Sequence, residues 1–188
     1  MIGAAFRAIL TQAQAGDEAA FAFIFRDVQP ALLRYLRVVA AEAEPEDVAG
    51  ETWVKVVAGL PRFRGDEDAF RARLFTIARH RAADAGRSRA RRPVVPLAGT
   101  ELLDAPLSPM APDTADLALE AISARAMVRL IATLPADQAE IIMLRVVAGL
   151  DASAVARIIG KSPGAVRVAA HRGLRRLAGL VERAGVTQ

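Results

Sequence analysis

Basic side chains are concentrated in two separate blocks, and these blocks hold the residues with the clearest chemical capacity. Residues 70–92 carry eight basic groups and one acidic group, whereas residues 161–188 carry six basic groups and one acidic group. Arginine and lysine bind phosphate oxygens, and arginine can also hydrogen-bond to the edges of bases. Two basic blocks far apart in the sequence predict two contacts with a long polyanion such as DNA, rather than one generic charged surface.

The C-terminal block follows a pattern that is typical of a helix-turn-helix. Asp151 can cap a short helix, and Gly160 can adopt the positive φ of a tight turn. Ser162 with Pro163 can then begin a second helix, and the small residue Ala156 suits the point where the two helices cross. The outward face of the second helix is predicted to contact DNA through Lys161, Ser162, Pro163, Gly164, Arg167, Val168, His171 and Arg172. An ordinary helical hairpin is the alternative interpretation.

The mid-chain block is preceded by a segment that combines one aromatic ring with five charges. Residues 60–68 (LPRFRGDED) also contain proline and glycine, so they are predicted to form an exposed loop. Phe63 and Arg64 could stack on an unpaired base, because aromatic and guanidinium faces do so without needing a duplex. Phe63 could equally be an anchor of the core. The helix after the loop is predicted to bury an apolar stripe that includes Phe70 and to expose its arginines, Arg71 among them; a merely solvated charged face is the alternative.

Helices are the elements that must position both blocks. Apolar residues recur at helical spacing over 17–39 and 45–57, and Pro45 suits the first position of a helix. Two more helices are predicted over 117–134 and 137–148. Apolar types make up 53% of the chain but aromatic types only 5%, which favours thin helical bundles over a thick mixed core. The sequence therefore predicts an all-α fold.

Residues 93–116 separate the two helical parts and differ from both in composition. They contain five of the ten prolines, no basic residue and no sustained periodicity, which predicts a flexible, acidic, Pro-rich linker. We therefore expect two small helical domains, one over residues 1–92 and one over residues 117–188. A linker of this kind would let the two domains touch separate sites on DNA.

In their order and spacing, these segments resemble the extracytoplasmic-function (ECF) sigma factors of RNA polymerase. The resemblance covers residues 21–92 and 117–180. Residues 45–53 (PEDVAGETW) are similar to the family's helix that docks on the clamp of the polymerase largest subunit, with Gly50 in place of the usual glutamine. The resemblance implies that core polymerase is bound through Asp47, Gly50 and Glu51.

Two further parts of the sequence resemble the family's contacts with promoter DNA. Residues 63–65 and 70–79 are similar to the segment that captures and opens the minus-ten element, although Arg73 stands where tryptophan is usual. Residues 134–172 are similar to the module that reads the minus-thirty-five element, although Ala169 occupies a position often held by arginine. At the minus-ten element the resemblance implies contacts by Phe63, Arg64, Gly65, Phe70, Arg71, Arg79, Arg87 and Arg89.

The sequence disfavours the function classes that need reactive or membrane-spanning segments. It has no cysteine, no glycine-rich phosphate loop, two histidines far apart, and no apolar stretch near the ~18 residues that cross a bilayer. We therefore expect no catalysis, metal, cofactor, small-molecule substrate or membrane insertion, and a cytoplasmic location. The resemblance implies three partners: RNA polymerase core enzyme, promoter DNA and an anti-sigma factor. A polymerase-independent helix-turn-helix regulator and a helical adaptor without a DNA role are the alternatives.

Overall fold

The computed structural model describes residues 1–40, 43–90 and 115–185, with side chains described over 1–40, 43–88 and 124–183. Within these residues the regular structure is helical and no strand occurs, which confirms the all-α prediction. The α-helices are α1 (Phe6–Gln14), α2 (Glu18–Val39), α3 (Pro45–Gly59), α4 (Glu67–Ala90), α5 (Ala115–Ala132), α6 (Ala136–Ile142), α7 (Ala152–Ile159) and α8 (Pro163–Gly185). Short 3-10 turns lie at Gly3–Ala5 and Leu60–Arg62. Nearly all of the predicted linker over 93–116 lies outside the described residues.

The helices before the linker form one bundle whose local signals agree with the sequence. The Asp17 carboxylate accepts hydrogen bonds from the backbone N–H groups of Ala19 and Ala20, and it thereby caps α2 as predicted. In α3, Trp53 is buried and its indole N–H donates to the Gln29 side-chain oxygen over 2.6 Å. A buried indole that keeps a hydrogen-bond partner can fix the orientation of α3 against α2 without a desolvation penalty.

The prediction of an exposed loop over 60–68 is wrong in part. Leu60 and Phe63 are buried, and α4 already begins at Glu67. The early start is explained by Asp66, whose carboxylate accepts from the backbone N–H of Ala69 over 2.9 Å. The Gln14 side-chain amide of α1 donates to the backbone carbonyls of Leu60 and Phe63, so this segment is held by the bundle rather than left in solvent.

The helices after the linker contain the predicted helix-turn-helix. Asp151 accepts from the backbone N–H of Ala154 over 2.6 Å, and this hydrogen bond caps α7. Gly160 ends α7 with φ of 69°, a conformation that favours glycine. Val155 and Val166 are fully buried where α7 meets α8. These contacts confirm the predicted turn and crossing.

The helix predicted over 137–148 differs from the expectation at its C-terminal end. α6 stops at Ile142, and Met143–Val147 continues as a π-helical turn that is closed by the backbone N–H of Ala148 donating to the Met143 carbonyl. Gly149 follows with φ of 72°. A π turn of this kind is uncommon and is often found where a helix has a second role.

The two bundles pack against each other. Helix α2 contacts α5, α6 and the π turn, and α4 contacts α7. Buried residues from both bundles form one continuous apolar cluster. Among the described helices, none is both long enough and apolar enough to cross a bilayer.

Candidate nucleic-acid interface

The exposed face of α8 and the turn before it carry every residue that the sequence assigns to the helix-turn-helix contact. Residue positions 164, 167, 168, 171 and 172 follow helical spacing, while Val166 between them points into the core. Val168 leaves 51% of its surface exposed, and an exposed apolar side chain of this size can contact the methyl group of thymine. The exposed residues are Lys161, Ser162, Pro163, Gly164, Arg167, Val168, His171 and Arg172.

The start of α8 is held by local hydrogen bonds that also orient this face. The Ser162 hydroxyl oxygen accepts from the backbone N–H of Ala165 over 3.2 Å, as an N-cap does. The Lys161 ammonium lies 3.2 Å from the Asp137 carboxylate of α6. Because both groups are exposed, this ion pair leaves the ammonium free to exchange its partner for a phosphate at small cost.

Gly173 allows α8 to lie close to α6, which was not predicted from the sequence. A Cβ at this glycine would lie 2.6 Å from Ile142 Cδ1 and 3.4 Å from Ile142 Cγ1, both within the core of the second domain. The missing side chain therefore lets α8 approach α6 closely. The sequence signal that could have pointed to this close approach is a glycine in the middle of an otherwise regular helical pattern.

In the mid-chain segment, Phe63 lies in the core. The residue is 7% exposed, and its ring packs edge-on against Phe70, with 5.7 Å between the ring centroids. The Arg73 guanidinium lies 5.8 Å from the Phe63 centroid and covers it from outside. Gly65 makes room for this ring, since a Cβ there would lie 2.9 Å from Phe63 Cζ. In this conformation Phe63 is the core anchor that the sequence left open as an alternative.

The expectation that Arg71 belongs to an exposed cationic surface is wrong. Its side chain is buried, and it donates to the carboxylates of Asp27 over 2.7 Å and Glu67 over 3.2 Å. Its Nη1 also donates to the Ala148 carbonyl of the second domain over 3.3 Å. Burial of this cation is possible because two carboxylates and a carbonyl satisfy it.

The other mid-chain arginines differ among themselves in exposure. Arg64 and Arg87 are exposed, and Arg87 forms an ion pair with Asp84 one turn earlier. Arg79 is partly buried, and its Nε donates to the Glu140 carboxylate of α6 over 2.8 Å. The side chain of Arg89 lies outside the described residues. The predicted contacts of these arginines with the minus-ten element stay predictions.

Glu140 also accepts a hydrogen bond from the only tyrosine of the chain. Tyr35 has no exposed surface, and its hydroxyl donates to Glu140 over 3.0 Å. Burial first, and then the neighbouring Glu140 charge, raise the pKa of Tyr35 well above its usual value. The hydroxyl therefore stays protonated and available as a donor at neutral pH.

The residues assigned to polymerase binding share one exposed face of α3. Asp47, Gly50 and Glu51 are all exposed, and the two carboxylates line an open groove between α3 and α4. Val54 and Val57 are exposed further along α3, at 73% and 46%. A surface that combines carboxylates with exposed branched side chains suits a protein partner better than a nucleic acid.

Among the described side chains, no group of three or more histidine, aspartate or glutamate residues is placed to hold a metal ion. His80 and His171 are both exposed.

Comparison with known proteins assigns both bundles to one family. The family model "Sigma-70 region 2" matches residues 24–92, and the model "Sigma-70, region 4" matches residues 124–177. The ECF RNA polymerase sigma factor SigD of Mycobacterium tuberculosis is 37% identical over 190 residues, which cover 98% of this chain and 88% of the relative. The ECF RNA polymerase sigma factor ShbA of Streptomyces griseus is 37% identical over 184 residues, which cover 93% and 94%.

A solved structure has the same fold. The structure of CnrH in complex with the cytosolic domain of CnrY superposes with a TM-score of 0.60 and 22% identity, over 95% of this chain and 98% of that chain. At this identity the likeness speaks for the fold alone. The matches to both sigma-70 regions and the relatives that span nearly the whole chain show that this protein belongs to the ECF family of sigma factors, which direct RNA polymerase to promoters.

Proposed function

We propose that this sigma factor binds core polymerase through α3, reads the minus-thirty-five element with α8, and captures the minus-ten element with the first domain. The observation that carries the proposal is the capped, exposed face of α8 in a chain whose other bundle matches sigma-70 region 2. The functional units are residues 1–92 and 117–188, with 93–116 as the connection between them.

At the upstream element, α8 has the dimensions and side chains for the major groove. Arg167 and His171 lie one helical turn apart and can reach neighbouring base edges, while Lys161 and Arg172 can hold the flanking phosphates. A well-placed contact to a base edge contributes about 1–3 kcal/mol of discrimination. Ser162, Pro163 and Gly164 keep the start of the helix compact enough to approach the backbone.

At the downstream element, strand opening is driven by binding. Unstacking a base costs a few kcal/mol, and contacts of the extruded strand with the protein offset this cost. Arg64 and Arg87 are exposed, and Arg87 would exchange Asp84 for a phosphate at little cost. Arg79 is partly exposed, and its Nε is held by Glu140. Phe63, Phe70 and Arg71 are buried beneath this surface and support it from within.

Core polymerase is bound, in this proposal, by the acidic and apolar face of α3. Asp47 and Glu51 would pair with basic groups of the polymerase, and Gly50 between them lets the partner approach the helix backbone closely. The same role needs neither catalysis nor a cofactor, because the polymerase supplies the chemistry. The site of action is the cytoplasm, and an anti-sigma factor is the further partner that the family resemblance implies.

A binding experiment separates this proposal from a polymerase-independent regulator. Core polymerase is mixed with the wild-type chain or with the Asp47→Asn/Glu51→Gln variant, and association is measured by co-sedimentation. We expect loss of association in the variant, whereas Asp68→Asn, a neutralised exposed acid elsewhere on the first domain, should associate like wild type. A gel shift with promoter fragments should require core enzyme. Tight, specific binding without core enzyme would support the regulator instead.

A further inference from the structure

Arg73 is a mid-chain arginine without an assigned role, and its surroundings differ from those of its neighbours on α4. Arg71, Arg79 and Arg87 each form an ion pair with a carboxylate of the protein. Among the residues that the structure describes, no carboxylate pairs with Arg73 in this way. Its guanidinium lies over the Phe63 ring, and the residue is exposed. The cation is therefore open to a partner outside the chain.

The guanidinium of Arg73 has a seat that is built into the fold. A Cβ at Gly59 would lie 2.0 Å from Arg73 Nη2 and 3.1 Å from Arg73 Cζ, so the guanidinium occupies the space that a side chain at Gly59 would fill. Gly59 is the last residue of α3, and the partial negative charge at the end of a helix favours a cation there. The 5.8 Å between Cζ and the Phe63 centroid is within the range of cation–π attraction.

The ring beneath the guanidinium is itself held in place. The Gln14 side-chain amide donates to the backbone carbonyls of Leu60 over 2.9 Å and Phe63 over 2.8 Å, which fixes the turn between α3 and α4. The Phe63 ring packs against Phe70 on one side and close to Gly65 on another. Arg73 thus rests on a fixed support, and a group that is already positioned loses less conformational freedom when it binds a ligand.

We infer that Arg73 is a further DNA-binding residue, and that its guanidinium is a platform for one unpaired base of the opened minus-ten strand. This inference rests on the proposed function of the first domain. One side of the guanidinium faces the Phe63 ring, and the exposed side faces solvent. Bases of single strands stack on guanidinium planes as they do on aromatic rings. Phe63 then acts through Arg73 and stays in the core.

The geometry favours a base over a phosphate as the ligand of Arg73. A guanidinium binds a phosphate best through two N–H groups on one edge. Nη2 of Arg73 is the nitrogen that lies nearest to Gly59, so part of the donor edge is turned towards the end of α3. The exposed face is what remains for a strand. A lysine at this position would keep the positive charge but would have no planar face.

The test measures binding of forked minus-ten fragments by core polymerase together with the full chain, as wild type or Arg73→Lys. The unpaired positions of the fragment are replaced one at a time by abasic sites, which remove the base and keep the phosphate. We expect Arg73→Lys to lower the affinity for the intact fragment about fivefold. This loss should vanish on the one fragment whose abasic site removes the stacked base. Arg7→Lys, at an exposed arginine of α1, should bind every fragment like wild type.

Gly59→Ala gives a second variant, which displaces the guanidinium while Arg73 itself is kept. Gly59 has φ of −99° and ψ of −2°, which alanine adopts readily. We expect this variant to lose affinity at the same position of the strand as Arg73→Lys. The double variant should lose little more than either single one, because both changes remove the same contact. A shared loss at one position is not explained by misfolding, which would lower the affinity for all fragments.

Two results would overturn the inference. If Arg73→Lys bound every fragment like wild type, a positive charge alone would suffice at this position. If the loss were the same on the intact fragment and on every abasic fragment, Arg73 would contact a phosphate or another protein and not a base. The proposed function is tested separately in the same assay, since it would be rejected, and this inference with it, if the wild type bound forked and fully paired fragments alike.

Discussion

The two candidate DNA surfaces of this sigma factor are built in different ways. The face of α8 is exposed and is oriented by contacts close in sequence, such as the Ser162 cap and the turn at Gly160. The surface of the first domain depends on contacts over long separations, and some of its arginines are engaged by the second domain. One surface is ready to bind as it stands, whereas the other is partly covered.

This difference shows that the number of arginines alone does not determine how readily a surface binds DNA. A basic side chain contributes to DNA affinity only if it can release its present partner. Exposed pairs such as Lys161 with Asp137 release theirs at little cost. A buried arginine between two carboxylates is instead part of the fold.

The largest expected effect comes from Arg71, and it tests whether this arginine is structural. Arg71→Ala leaves Glu67 without its cation and Asp27 with only the amino group of Met1. We expect a loss of about 3–5 kcal/mol in the free energy of unfolding, as for other broken buried ion pairs. Urea unfolding monitored by circular dichroism measures it. Arg87→Ala, at an exposed arginine of the same helix, should cost under about 1 kcal/mol; equal losses would contradict the assignment.

The next largest effect is expected on the exposed face of α8. Arg167→Ala removes a proposed contact to a base edge, and it should lower promoter-specific transcription by roughly tenfold to a hundredfold, or about 1–3 kcal/mol. His171→Ala should act in the same direction. Arg125→Ala, which removes an exposed arginine of α5, is the matched control. If all these variants gave equal transcription, α8 would not be the helix that reads the minus-thirty-five element.

A smaller effect is expected at the turn that orients α8. Gly160 has φ of 69°, and an alanine in this conformation costs about 1–2 kcal/mol. Gly160→Ala should therefore lower the thermal unfolding midpoint. Gly86→Ala offers the contrast, because Gly86 lies within α4, where an added Cβ would meet no atom within 4 Å, and this change should increase stability. If both changes shifted the unfolding midpoint alike, the positive φ of Gly160 would not contribute to the stability of the second domain.

The smallest expected effect is a change in how strongly DNA affinity depends on salt, and it concerns the exposed arginines of the first domain. Removal of one phosphate contact lowers the slope of log affinity against log salt by about 0.9 for duplex DNA and about 0.7 for single strands. Arg64→Ala and Arg87→Ala should each show this reduction on a forked fragment with polymerase present. An unchanged slope would mean that these exposed arginines form a solvated face, which was the alternative interpretation of the mid-chain block.

Local signals made the helix-turn-helix of the second domain predictable from sequence, but they did not show which charged side chains of the first domain are buried. The Asp151 cap, the Gly160 turn and the Ser162–Pro163 start all act within four residues, so their pattern is visible in a single sequence. The burial of Arg71 depends on Asp27 and Ala148, which lie 44 and 77 positions away. Helical spacing placed Arg71 beside the apolar stripe, but spacing does not show that another domain covers this side.

Two further features were not decided by the sequence: the position of Phe63, for which a core anchor was one of two alternatives, and the π turn, which was not predicted. Phe63 lies in a segment whose composition is typical of loops, yet Gln14 and Phe70 hold it inside the bundle. The π turn after α6 has no sequence signal that distinguishes it from an ordinary helix end. Composition indicated the right class for both domains, while tertiary contacts decided which charged and aromatic side chains face solvent.

The central claim is that this chain makes core polymerase start at defined promoters through two DNA contacts. Run-off transcription with core enzyme on genomic fragments, followed by mapping of the RNA 5′ ends, tests it most directly. We expect start sites that are absent with core enzyme alone and that share two upstream sequence elements at a constant spacing. Start sites that are the same with and without the chain would contradict the claim.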